Sequence, residues 1–200
     1  PCGGGITVAI HVLGESAALR TVLADIARRR SASLCYDPGA RLLTAMGGMT
    51  QTGWSRDGFV TRYRPHGRIF LAGRSIEIEV AAKVAAAAGY DVLLYGGSSS
   101  LPAAETIDED TAVALLYHDI DLEVPVLEAA LHSNPFYIGA LGSSRTHGRR
   151  VQRLRELGYS EAEIARIKSP IGIFNRARDS QSLALSILAD IAERRLSAVG

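Results

Sequence analysis

The stretch Gly139-Ala140-Leu141-Gly142-Ser143-Ser144-Arg145, with His147 two residues on, is the part of this chain best equipped to hold an anion. Glycines let backbone N–H groups come close to a ligand, and a helix opening at Ser143 or Ser144 would add the positive end of its dipole. Arg145 and His147 can supply charge-assisted hydrogen bonds. A tight turn leading into a capped helix would use the same residues. A second segment, Tyr117-His118-Asp119-Ile120-Asp121, sets an imidazole beside two carboxylates. That group can orient a ligand, move a proton or bind a metal, although either Asp can equally cap a following helix. A third, Leu71-Ala72-Gly73-Arg74-Ser75, keeps one glycine of the Gly-x-Gly-x-x-Gly turn that dinucleotide sites use. The acid expected near the end of the next strand is absent from Tyr95-Gly96-Gly97-Ser98, so NAD(P) is not an expected cofactor. Cys2, followed by glycines, is either a mobile reactive thiol or a small residue without a role. The arginines Arg149, Arg150, Arg153 and Arg155 read mainly as a solvated helix face, Cys35 as core, and His11, His66 and His132 as structural.

Elements must bring the first three segments together, and the hydrophobic rhythm says how. From Arg68 onward, short apolar runs alternate with helical periodicity. Strands are expected at 68–72, 91–95, 112–117 and 136–141, and helices at 76–88, 124–132, 146–157 and about 180–195. Ile76, Val80 and Val84 should face the core in the first of these helices. Ser160 followed by Glu163 is a capping box. Such alternation specifies a Rossmann-like, doubly wound parallel sheet with right-handed crossovers, whose ligand edge lies beyond the carboxyl ends of the strands. All three segments fall on that edge. Residues 1–66 read differently: a strand at 6–13, a helix through Leu19, Val22, Leu23 and Ile26, then strands at 33–36, 41–45 and 58–63. This is a small α+β domain, expected to be incomplete at its N-terminus, and residues 67–200 form the second domain.

Composition excludes several classes. A formal net charge of +1 offers no basic face for nucleic acid. No apolar run nears the roughly 20 residues of a membrane helix. Two cysteines in 200 residues suit a reducing cytoplasm better than a disulfide-stabilised secreted fold.

Taken in order, the motifs resemble the XdhC/CoxI family, the xanthine dehydrogenase accessory factors. The resemblance rests on Pro1-Cys2-Gly3-Gly4, Tyr117-His118-Asp119, Phe136 through Ser143, Arg145-Thr146-His147, Leu154-Arg155-Glu156-Leu157-Gly158, Ser169-Pro170-Ile171-Gly172 and Leu183 through Ala189. It is close over about 111–195 and looser elsewhere. It departs at Leu71-Ala72-Gly73-Arg74, where the family has Gly-Ala-Gly-His, and at Gly96-Gly97, where an Asp is usual. The resemblance implies a protein that binds molybdenum cofactor (molybdopterin), supports its sulfuration with a cysteine desulfurase, and passes it to an apo molybdenum hydroxylase. It implies that Cys2 lies at the sulfur-handling or cofactor site, and that His118 and Asp119, with Gly73, line the ligand edge. Gly139, Gly142, Ser143, Arg145 and His147 would hold the pterin phosphate. No resident metal ligands and no catalytic residues are expected, and a homodimer is compatible with this reading. The alternatives are an NAD(P)-dependent oxidoreductase on the same fold, or a divergent paralogue that binds a partner and no cofactor.

Overall fold

The computed structural model describes residues 8, 10, 12, 16–47, 51–97, 106–174 and 177–197. The chain divides into two compact units, Pro1–Pro65 and His66–Gly200.

In the first unit, helix α1 (Ala17–Ala27) starts where the Ser16 hydroxyl accepts the N–H of Leu19. Four antiparallel strands follow: β1 (Ala32–Asp37), β2 (Leu42–Met46), β3 (Gly53–Trp54) and β4 (Phe59–Tyr63), arranged β2-β1-β4-β3. Val22, Ala32 and Leu34 form its small core, with Leu19, Ile26 and Leu43 packed on them. Gly58 has φ +143°, and a Cβ there would lie 2.3 Å from the Tyr36 carbonyl oxygen, so the β4 entry must be glycine. The strand expected at 6–13 is not formed by its described residues: Val8, Ile10 and Val12 are exposed and carry no strand pairing. Their β-branched side chains alternate, but alternation without an adjacent partner strand buries nothing.

The second unit is a five-stranded, wholly parallel sheet: β5 (Arg68–Gly73), β6 (Asp91–Tyr95), β7 (Thr111–Leu116), β8 (Tyr137–Ala140) and β9 (Ile167–Lys168), in the order β6-β5-β7-β8-β9. Helices α2 (Ile76–Ala87), α3 (Ile120–His132), α4 (Ser144–Glu156), α5 (Glu161–Ile164) and α6 (Ser180–Ser197) complete it. This is the doubly wound fold the periodicity specifies. Period-two alternation sends Phe70, Val113, Leu115 and Ile138 to one face, against Val126, Leu127 and Ala130 of α3 and Leu154 of α4. Ile69, Leu71, Ala114 and Leu116 go to the other, against Ala81 and Ala85 of α2 and Ile187 and Ile191 of α6. Every residue of β7 is buried, as a central strand covered on both faces requires.

Two local expectations are corrected, and one strand is present that was not expected. Helix α2 buries Ile78, Ala81 and Ala85 most deeply, with Val80 and Val84 of the expected stripe half-buried against the same core, whereas Ile76 is 59% exposed. Alanines let the helix approach the sheet closely, so the small face goes inward. Helix α3 starts at Ile120, four residues before the expected start, with Pro125 inside it. Pro125 has no N–H for the Asp121 carbonyl and its ring crowds that carbonyl, so α3 continues through it with one intrahelical bond fewer. Strand β9 is two residues long, too short for alternation to signal it.

Candidate functional site

The strand order reverses between β5 and β7: β6 lies to one side of β5, whereas β8 and β9 lie beyond β7. Ligands of such sheets bind beyond this switch point. A crevice of about 230 Å³ opens there, lined by Arg74, Ser75, Leu116, Tyr117, His118, Asp119 and Leu122. Two of the three chemistry-bearing segments thus meet in one place. Gly73 makes this junction close. A Cβ on it would fall 2.7 Å from the Leu116 carbonyl oxygen, so the end of β5 can lie against β7 only without a side chain.

The crevice surface is largely apolar, with His118 and Asp119 among the residues that line it. The Arg74 guanidinium reaches the end of β6, donating to the carbonyl oxygens of Gly96 and Gly97. Its charge is therefore set where a dinucleotide site would carry its ribose-binding acid. His118 is exposed at the mouth, with Glu77 of α2 as a charged neighbour. Asp119 is the N-cap of α3, and its carboxylate accepts the N–H of Asp121 at 3.0 Å. Tyr117 is buried, and burial raises its phenol above the ordinary value, with the charge of Tyr95 adding to the shift. Among the described residues no three His, Cys, Asp or Glu side chains gather closely enough to hold a metal ion.

The third segment forms the exit of β8. Leu141 donates to the Leu115 carbonyl and so continues the ladder by one bond. Gly142 then turns the chain with φ +133°, and the Thr146 side chain stands 2.9 Å from where its Cβ would be. Ser143 caps α4, its hydroxyl accepting the Thr146 N–H at 3.3 Å. The N–H groups of Gly142, Ser143, Ser144 and Arg145 have no partner among the described residues, and the exposed Arg145 guanidinium has none either. Four open donors and a free cation at a helix start match the chemistry of a phosphate or another anion. Gly139 sits deeper, inside β8, where a Cβ would collide with the Tyr137 ring and with Ile171; it makes room for packing. Cys2 lies outside the described residues.

Beneath this exit is a feature that the sequence reading missed. Arg150, expected on a solvated face, is fully buried and forms a bidentate pair with the equally buried Glu123 of α3. Its remaining N–H groups reach the Leu141 carbonyl at 2.8 Å, the Ser169 hydroxyl at 3.1 Å and His147 Nδ1 at 3.3 Å. Burial pushes the Glu123 carboxyl up, and the two bonds from Arg150 oppose that push. The sequence does carry a signal for it. Arg150 stands four residues before Leu154, on the same side of the helix as the residue that anchors α4 in the core. On the α6 side of the sheet, Asp190 is a comparable hub. It accepts from Tyr137 Oη at 2.6 Å, from Gly172 N at 3.0 Å and from Lys168 Nζ.

Comparison with known proteins gives this geometry a family. The model of the XdhC Rossmann domain matches residues 69–191. The molybdenum cofactor insertion chaperone PaoD of Escherichia coli (strain K12) is 47% identical over 196 residues, which is 98% of this chain and 61% of PaoD. The uncharacterized protein YqeB of the same organism is 26% identical over 163 residues, covering 71% of this chain and 30% of YqeB. The chain thus spans about three-fifths of the first of these relatives and less than a third of the second. Among solved structures, a protein described as a xanthine dehydrogenase from Bacillus halodurans superposes with a TM-score of 0.59 at 16% identity, over 91% of this chain and 66% of that one, a likeness of fold. By the match over its second unit, this chain belongs to the XdhC Rossmann domain family.

Proposed function

We propose that this protein binds molybdenum cofactor at the carboxyl edge of its parallel sheet and serves as an insertion chaperone for a molybdenum enzyme of the xanthine dehydrogenase type. The observation that carries this reading is 47% identity to a molybdenum cofactor insertion chaperone along nearly the whole chain. The chemistry of the edge supports it. Molybdopterin bears a phosphate, and the open N–H groups of Gly142 to Arg145, with the Arg145 guanidinium, suit such an anion. His147 stands at the same helix start. His118 and Asp119 line the neighbouring switch-point crevice, where the rest of the ligand would lie; Gly73 closes β5 against β7 beside it, and Gly139 supports the strand beneath.

In this reading the chain performs no bond chemistry at the sheet edge. It holds and orients the cofactor, screens it from water, and releases it when the recipient docks. A cysteine desulfurase would supply the terminal sulfur during the bound stage, with Cys2 near the transfer. In this proposal the protein acts in the cytoplasm, which its low cysteine content suits. A homodimer would place two such edges in one particle.

Equilibrium binding of molybdenum cofactor and of NADP(H) to the purified chain tests the reading. Saturable binding of the molybdenum cofactor alone is the expected result. Tight NADP(H) binding would point to an oxidoreductase, and binding of neither to a partner-binding paralogue. Cys2→Ser should lower sulfur-dependent activation of the recipient enzyme without changing cofactor affinity.

A further inference from the structure

A guanidinium offers five N–H donors and no acceptor. All five of Arg150 are assigned: Nε and one Nη2 hydrogen go to the Glu123 carboxylate, the other Nη2 hydrogen to the Leu141 carbonyl, and the two on Nη1 to Ser169 Oγ and His147 Nδ1. The Arg150 and Glu123 side chains are 0% and 1% exposed, so the pair has no water to exchange with. Because the guanidinium can only donate, His147 Nδ1 must accept, and the ring proton resides on Nε2. Nε2 makes no hydrogen bond to any described residue.

We propose that His147 is a specificity-determining donor of the β8–α4 anion site, its imidazole locked by Arg150 as the Nε2–H tautomer so that it gives the ligand one hydrogen bond and no charge. This deepens the cofactor-binding reading above and rests on it for the identity of the ligand. Among the described residues the charged group that acts on His147 is Arg150, on its own helix, whose carboxylate partner Glu123 comes from α3. The β8 exit contributes the Leu141 carbonyl, and the segment after β9 contributes the Ser169 hydroxyl. Burial, and then the charge of Arg150, move His147 below its ordinary value of 6.5, which keeps the ring neutral at physiological pH. The site's positive charge is thereby left to Arg145 and to the helix start. A ligand oxygen is recognised by the ring through direction, and acidification toward the ordinary imidazole range does not tighten binding.

Long-range proton–nitrogen spectra of the ¹⁵N-labelled full chain read the tautomer directly. The expected result at neutral pH is a protonated Nε2, an unprotonated Nδ1, and a titration midpoint below 6.5. A protonated Nδ1, or an imidazolium at neutral pH, would overturn the proposal. Molybdenum cofactor binding supplies the second readout. His147→Ala should weaken it about tenfold, equivalent to ~1.4 kcal/mol. His147→Gln, which keeps a neutral donor, should restore most of that loss. Equal affinity of both variants with the unaltered chain would overturn the donor role. If the unaltered chain binds no cofactor, the delivery reading fails and the ligand half of this proposal with it, while the spectra still decide the tautomer.

Discussion

Arg145 and Arg150 lie five residues apart on one helix, and their surroundings give them opposite tasks. Arg145 is exposed at the first turn with no partner among the described residues, so its charge is available to a ligand. Arg145→Ala should weaken cofactor binding by about tenfold or more, since a hydrogen bond to a charged group contributes about 1.5–3 kcal/mol. Circular dichroism should be unchanged. Loss of affinity measured by equilibrium titration checks this, and an unaltered affinity would remove Arg145 from the site. Arg150 is sealed inside, so removing it acts on stability first. Arg150→Met leaves the Glu123 carboxylate buried without its counter-ion and should destabilise the fold by about 3–5 kcal/mol in chemical denaturation. Adding Glu123→Leu should recover much of that loss, because the desolvated charge is then gone as well. The buried task of Arg150 was not read from the sequence, since an arginine beside an apolar stripe looks solvated unless a carboxylate on another helix is known to meet it.

At the scale of elements, the candidate site is a set of strand exits and helix starts that the parallel sheet places side by side. Asp119 illustrates the overlap of structural and functional use at such places. It caps α3, and it also lines the switch-point crevice. Asp119→Ala should lower stability by about 1 kcal/mol, the usual loss for an N-cap. Thermal unfolding together with cofactor titration separates the two uses: a drop in stability with full affinity would leave Asp119 as a cap only. The capping residues Ser160 and Glu163 were legible in the sequence because a capping box is local, and the structure forms it. The start of α3 was half legible: Asp119 was one of two caps the sequence offered, whereas Pro125 resembles a first-turn residue and drew the expected start to 124.

For the whole molecule, His147 links the site to the pH dependence of folding. Its folded value is lowered, so the contribution it makes is present above the ordinary imidazole value of 6.5 and is lost as pH falls toward the lowered value. The unfolded chain takes up a proton there that the folded chain resists. Stability measured by denaturation should therefore decline from about pH 6.5 downward, and His147→Gln should flatten that part of the profile. Two surface carboxylates held below their ordinary range by hydroxyl and backbone donors, the half-buried Glu163 by Ser160 and the exposed Asp179 by Ser182, add to the loss at more acid pH. The sequence by itself determined the alternation of strands and helices, hence the parallel sheet, the edge on which ligands sit, and the segments that lie there. These features depend on local periodicity and on glycine and capping chemistry within a few residues. Only the tertiary structure decided that Gly73 lets β5 meet β7, that Arg74 is tied to the end of β6, and that Arg150 is buried against Glu123. Each of those depends on two residues far apart in the chain meeting at a distance of a few ångströms, and side-chain reach at such a meeting follows from packing, which no local pattern encodes.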